Sequence, residues 1–314
     1  MRPTLKDWHV FPTVLGTLPL AVSASAAEPT PKRALLIVSK TRHALAIVEP
    51  VSLKVLGRVP VGEDPHEVVT SADGKTAYVS NTGFGRFHEL NVIDLVAQKA
   101  LPNVDTSPLM GMGTGQNRTH MLHVTADEKT LYTTNVDSGT VSILENVLLQ
   151  PTVPPTGVLP PTAKPQMDWV QTLVPVAEHS EGFDVSPDGK ELWSASPTGA
   201  LSVVDLKAKK GVATVDAKLP GAHRLEFTPD GKRVLAVSVR TGELAVFDTG
   251  TRKEVKRLKI GRGAAMLMDA EGNRAFVSCT PDNDVAVIDL KTLEVTGHID
   301  VGGRPDGLAF AVRR

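Results

Sequence analysis

An all-β chain of repeated four-stranded units is what three observations in this sequence predict. The stretch "VTSADGKTAYVSN" (Val69–Asn81) returns as "VTADEKTLYTTN", "VSPDGKELWSAS", "FTPDGKRVLAVS" and "MDAEGNRAFVSC". A second run also returns, as "LAIVE", "LNVID", "VSILE", "LSVVD", "LAVFD" and "VAVID". No segment sustains a helical period, while short β-branched runs recur throughout. Four strands in a unit of about forty residues is the mark of a β-propeller blade.

The elements follow in order within each copy. The turn acids are Asp73, Asp127, Asp188, Asp230 and Glu271. The Asp-Gly pairs at Asp73-Gly74, Asp188-Gly189 and Asp230-Gly231 suit a tight turn, because glycine tolerates positive φ. Asp127-Glu128 lacks the glycine, so that turn is expected to be the least favourable. The acids that end the third strands (Glu49, Asp94, Glu145, Asp205, Asp248 and Asp289) are in register. They are read as turn openers that accept from nearby backbone N–H groups, not as catalytic carboxylates.

The repeat spacing gives six blades. Five copies are complete, and a sixth is split between Arg33–Asp64 and Pro305–Arg314, which together make one repeat length. Such a split closes the ring and buries two sheet edges. Two intervals are long and are read as loop insertions, Leu101–Arg118 and Asn146–Asp168. Six prolines make the second an extended surface excursion.

The "PHEVVTSADGKTAYVSN…NVIDL" pattern resembles the YVTN-type β-propeller repeat of exported bacterial proteins, and the likeness covers nearly all of the chain after residue 26. The resemblance implies a propeller related to lactonase-like, quinoprotein and haem d1-type proteins, and it implies no single activity. Seven blades are common among similar propellers; this sequence offers six.

The N-terminus reads as a secretory signal over residues 1–26. Arg2 and Lys6 precede the run "VFPTVLGTLPLAVSASA", and Ala24-Ser25-Ala26 fits the A-x-A cleavage pattern. The run is too short to span a bilayer. Residues 27–314 are then a single propeller domain, periplasmic or secreted, and monomeric. The remainder has 32 basic and 34 acidic residues with no basic stripe, which argues against nucleic acid as a partner. Cys279 is the only cysteine. That excludes an internal disulfide, a CxxC zinc site and covalent haem through CxxCH. The Gly-rich run Gly111–Gly115 opens no helix and carries no Lys-Ser/Thr, so it is not a nucleotide loop.

Candidate chemistry sits seven residues before each turn acid, where the inner strands converge on the axis. That column reads His66, His120, Glu181, His223 and Ala264, with Asp306 from the split blade. Three imidazoles and two carboxylates suit zinc, manganese, iron or copper. The same ring would also serve as a hydrogen-bonded plug. The next inner positions are apolar: Val68, Leu122, Phe183, Leu225, Met266 and Leu308. Candidate substrate-binding residues on the same face are Arg86, His88, Arg118, Arg224, Arg262 and Arg304, with Glu89, Met110, Met112 and Met121 nearby. Cys279 is expected to be a small packed residue. Two functions stay open. One is a binding module for a small molecule or protein partner on this top face. The other is a metal-dependent enzyme (hydrolase or lactonase, lyase, or oxidoreductase) using the His66/His120/His223/Glu181 ring.

Overall fold

A computed structural model describes residues 28–83, 89–106, 115–152, 157, 163–269 and 273–314. The expected signal segment therefore lies outside the described residues, as do Arg86, His88, Met110, Met112 and Glu271. Six four-stranded antiparallel sheets form the ring. Blade 1 comprises β4 (Pro65–Thr70), β5 (Thr76–Asn81), β6 (Glu89–Asp94) and β7 (Lys99–Asp105). Blade 2 comprises β8 (Thr119–Val124), β9 (Thr130–Asn135), β10 (Thr140–Leu149) and β11 (Gln166–Pro175). Blade 3 runs β12 (Phe183–Val185) to β15 (Lys210–Asp216), with β13 (Glu191–Ala195) and β14 (Ala200–Asp205) between. Blade 4 begins at β16 (Ala222–Phe227), followed by β17 (Arg233–Ser238), β18 (Glu243–Asp248) and β19 (Glu254–Lys259). Blade 5 begins at β20 (Ala265–Met268), followed by β21 (Arg274–Cys279), β22 (Asp284–Asp289) and β23 (Glu294–Ile299). Blade 6 is the split one: β1 (Arg33–Ser39), β2 (Ala44–Val48) and β3 (Val55–Pro60) receive β24 (Pro305–Val312) as the inner strand. β24 lies antiparallel to β1, from Arg33 opposite Val312 to Ser39 opposite Pro305.

The turns are built as the sequence predicts. Asp73 accepts from the Ser71 hydroxyl and the Lys75 amide at 2.7 and 3.1 Å, and Asp127, Asp188 and Asp230 repeat the arrangement. Glu128 stands at φ 57° where Gly74, Gly189 and Gly231 take the same left-handed conformation. The third-strand acids cap the following turns, with Asp94, Asp205, Asp248 and Asp289 accepting backbone N–H groups two or three residues on. Glu145 is the exception. β10 runs on past it to Leu149, so no turn starts there, and the carboxylate pairs with Lys209 of the neighbouring blade. The second insertion is likewise partly strand. Asn146–Leu149 pair with Gln166–Trp169, extending the β10–β11 hairpin to ten residues on each side.

Inner and middle strands are apolar on both faces because each sheet packs against two neighbours. In β1, Leu35 and Ile37 pack toward blade 5, while Ala34, Leu36 and Val38 pack toward blade 1. Buried clusters fill the joints between blades 2 and 3, 3 and 4, 4 and 5, 5 and 6, and 6 and 1. No such cluster fills the joint between blades 1 and 2 among the described residues. Leu122, one of the apolar inner-strand column, is 62% exposed at the edge of that joint. Cys279 is fully buried as expected, and burial pushes its thiol up to about 12.

Candidate axial site

Four ladder irregularities build the mouth of the axial channel. The inner-strand register shifts between Pro65 and Val68, His120 and His123, Ala222 and Arg224, and along β24 opposite Ile37 to Ser39. These are the strands that carry His66, His120, His223 and Asp306. The pairing of β20, which follows Ala264, shows no such shift. A bulge breaks the strict alternation of side chains, so consecutive residues can both approach the lumen. That is how β4 offers His66 with Glu67 and β16 offers His223 with Arg224. Met121, in the β8 bulge, takes a left-handed φ of 54°.

Glu181 precedes β12 and is drawn toward blade 4 by its neighbour. The Gly182 amide donates to the His223 carbonyl at 3.0 Å, and a Cβ at residue 182 would come within 2.1 Å of that oxygen. Only glycine permits this approach. The result is that Glu181 Oε1 lies 3.6 Å from His223 Nε2 and 3.7 Å from His120 Nε2. The other oxygen, Oε2, lies 3.4 Å from Arg118. Burial lowers the pKa of both His120 and His223, and this outweighs the opposing charge of Glu181. Both rings are therefore neutral at pH 7, as ligands must be.

His66 and Asp306 form a separate pair within the same ring. His66 Nδ1 is 2.8 Å from Asp306 Oδ2, and Lys40 Nζ reaches the same oxygen at 3.0 Å. The hydrogen bond to Asp306 raises the His66 pKa despite burial. Burial would raise the Asp306 pKa, but His66 and Lys40 together hold it below the ordinary carboxylate value. The His66 ring nevertheless stands edge-on to that of His120, with centroids 6.2 Å apart. The five polar residues of the column thus meet at one mouth in two subsets, Glu181/His120/His223 and His66/Asp306.

The arginines separate by partner. Arg224 is buried and reaches across the lumen to Glu67 Oε1 at 2.6 Å and to Met121 Sδ at 2.8 Å. Arg262 forks onto Asp282, with bonds at 2.6 and 2.9 Å, away from the column. Arg304, at φ 46°, accepts the Lys40 amide through its carbonyl. Arg118 lies 3.4 Å from both Asp137 and Glu181. Glu89 contacts the Asn103 amide within its own blade.

The column reading overlooked a second, deeper level. Asp184 accepts from the Phe227 amide and Glu226 from the Met268 amide, each at 2.9 Å, so these carboxylates link successive blades. Burial raises the Asp184 pKa to about 6 and that of Glu226 well above the usual value, with mutual repulsion adding to the second. Both sit four residues before their turn acids, a column that could have been read. Glu67 was less accessible to sequence reasoning, since its inward approach depends on the bulge.

Among the described residues, no group of three or more His, Cys, Asp or Glu is placed to hold a metal ion as the side chains stand. A tetrahedral shell with bonds of about 2.0–2.1 Å has ligand–ligand edges of about 3.3–3.4 Å. The two Glu181–imidazole edges, 3.6 and 3.7 Å, exceed this by a few tenths of an ångström.

No family model matches the chain, and no curated protein matches it. Solved structures do. A protein of unknown function from Desulfotomaculum acetoxidans superposes with a TM-score of 0.61 at 11% identity, covering 90% of this chain and 99% of that one. Apo AztD from Citrobacter koseri gives 0.58 at 11% identity, covering 88% and 97%. The dihydro-heme d1 dehydrogenase NirN, in complex with DHE, gives 0.55 at 16% identity, covering 91% and 76%. The six four-stranded sheets make the chain a β-propeller, and at such identities these likenesses speak to fold alone. No helix of the described residues is long and apolar enough to cross a membrane.

Proposed function

We propose that this chain is an exported binding protein whose ligand is a divalent transition-metal ion, zinc by preference. The ion is held at the mouth of the channel by His120, His223 and Glu181, with His66 and Asp306 beside it. The observation that carries the reading is the placement of two neutral imidazole nitrogens within 3.7 Å of one carboxylate oxygen. Two nitrogens and one oxygen suit zinc, and the fourth position stays open to water or a partner's group. Copper is the alternative ion if the Met121 thioether joins the shell. A binding role is favoured over a catalytic one because Arg224 and Arg262 are committed to Glu67 and Asp282 and do not point free guanidinium groups at a substrate.

Elemental analysis of untagged protein, loaded with zinc and dialysed, tests the reading. Wild type is expected to retain close to one ion per chain, and His120→Ala to lose it while keeping its thermal midpoint. Equal retention in both would overturn the assignment.

A further inference from the structure

Among the described residues, each sheet ends outward in a strand that is paired on one side only. Five of these outer strands (β3, β7, β15, β19 and β23) are six or seven residues long, and each carries a charge, as at Arg58, Lys99, Lys210, Lys256 and Glu294. Each also shows a register shift against its inner neighbour. Short length, charge and bulges are the devices that keep an open edge from pairing with another chain. β11 departs on all three counts. It runs for ten residues and pairs with β10 without a shift. Its one charge is Asp168, and the six residues Trp169–Val174, "WVQTLV", carry no charge, glycine or proline. Such a segment on an exposed edge is a strand-pairing site. Met167, Trp169, Val170 and Leu173 are between 38 and 56% exposed. Val174 turns into the joint with blade 3, so Met167, Trp169 and Leu173 share the opposite face with Leu148.

We propose that β11 is an interface for a second copy of this chain, the two β11 edges pairing antiparallel about a two-fold axis at Val170. A second copy is selected because the edge is its own complement. A two-fold axis perpendicular to the sheet lays each backbone edge on its mate, and residues that meet keep the same face. Centred on Val170, the axis sets Val170 against itself, Trp169 against Gln171, Asp168 against Thr172 and Met167 against Leu173. Apolar side chains then meet, and the lone carboxylate meets a hydroxyl donor. Centring on Asp168 would set like charges opposite each other, and centring on Gln171 would set Asp168 against Val174. Nine paired residues span about 30 Å. A strip one strand wide falls short of the roughly 800 Å² per partner of a standard interface, so the dimer is a reversible one with Kd in the micromolar range. It replaces the monomer expected from the sequence. The outer strands lie farthest from the axis, so pairing leaves the channel mouth open, and the inference is independent of the axial metal.

Sedimentation equilibrium across a micromolar concentration series, with EDTA present so that no metal bridges the copies, tests the inference. The mass of the wild type is expected to rise from one chain to two. Val170→Lys and Val170→Glu each place like charges opposite one another and should weaken the dimer roughly tenfold or more. An equal mixture of the two variants should restore it, because opposite charges then meet on the axis. Val255→Lys, at an exposed valine of the outer strand β19, should leave the dimer unchanged. Val170 is exposed at the edge, so its variants should keep the melting midpoint of the wild type. A dimer that survives Val170→Lys, that Val255→Lys weakens equally, or that the mixture fails to restore overturns the inference. So does a wild type that stays monomeric throughout, which would leave the edge to a foreign strand. Failure of zinc binding leaves these results unaffected, and the two readings are tested apart.

Discussion

Arg224 Nη2 of blade 4 lies 2.6 Å from Glu67 Oε1 of blade 1, on the opposite side of the ring. The guanidinium also touches Met121 of blade 2. One side chain thus crosses the lumen to link the two blades between which no buried cluster is found among the described residues. Removing one partner of a buried pair costs far more than the net worth of the pair. Glu67 is 42% exposed at its side chain, so that cost is reduced by solvent.

Glu67→Gln is therefore expected to destabilise the protein by about 1–3 kcal/mol in denaturant unfolding. The double variant Glu67→Gln/Arg224→Met should cost less than the two single changes summed. Strict additivity would show that the pair does not link the blades.

The three axial histidines are expected to titrate apart. The His66 pKa is raised by Asp306, so its stabilising effect is complete below about pH 6.5 and is lost as pH rises through its folded value. His120 and His223 are lowered by burial, so theirs is present above about pH 6.5 and lost as pH falls through their folded values. Metal occupancy should accordingly persist below the pH at which an ordinary imidazole protonates. Histidine-selective NMR titration should place one midpoint above 6.5 and two below it; a common midpoint would contradict the two subsets.

Glu128 pays for a left-handed backbone that glycine adopts freely. Glu128→Gly is expected to stabilise the protein by about 0.5–1 kcal/mol. Gly189→Ala, at φ 69°, should destabilise by a similar amount. An opposite sign for either change in chemical denaturation would show that the turns are not limiting in this way.

Truncation after Arg304 removes β24 and bares the edge of β1 and the blade 6 interior. Leu308 and Ala311 are buried in two different inter-blade clusters. The truncated chain should show no cooperative thermal transition; an unchanged midpoint would refute the closure.

The repeats made the blades legible because each copy carries its own turn chemistry, and Arg33–Asp64 with Pro305–Arg314 could be seen to share one repeat. The polar column was legible for the same reason, since His66, His120, Glu181, His223 and Asp306 keep a fixed offset from the turns. What escaped was what the repeat does not encode. The bulges that turn Glu67 and Arg224 inward are deviations from the repeat. The exposure of Leu122 depends on the joint with the neighbouring blade, which the repeat does not describe. The continuation of β10 past Glu145 depends on a partner strand twenty residues on.

The central claim is the axial metal shell, and X-ray absorption at the zinc edge of the loaded protein tests it most directly. The account predicts two imidazole nitrogens and one carboxylate oxygen at about 2.0–2.1 Å, with imidazole scattering falling to one ring in His223→Ala. A shell of oxygen ligands without imidazole scattering, or a spectrum unchanged in His223→Ala, would contradict it.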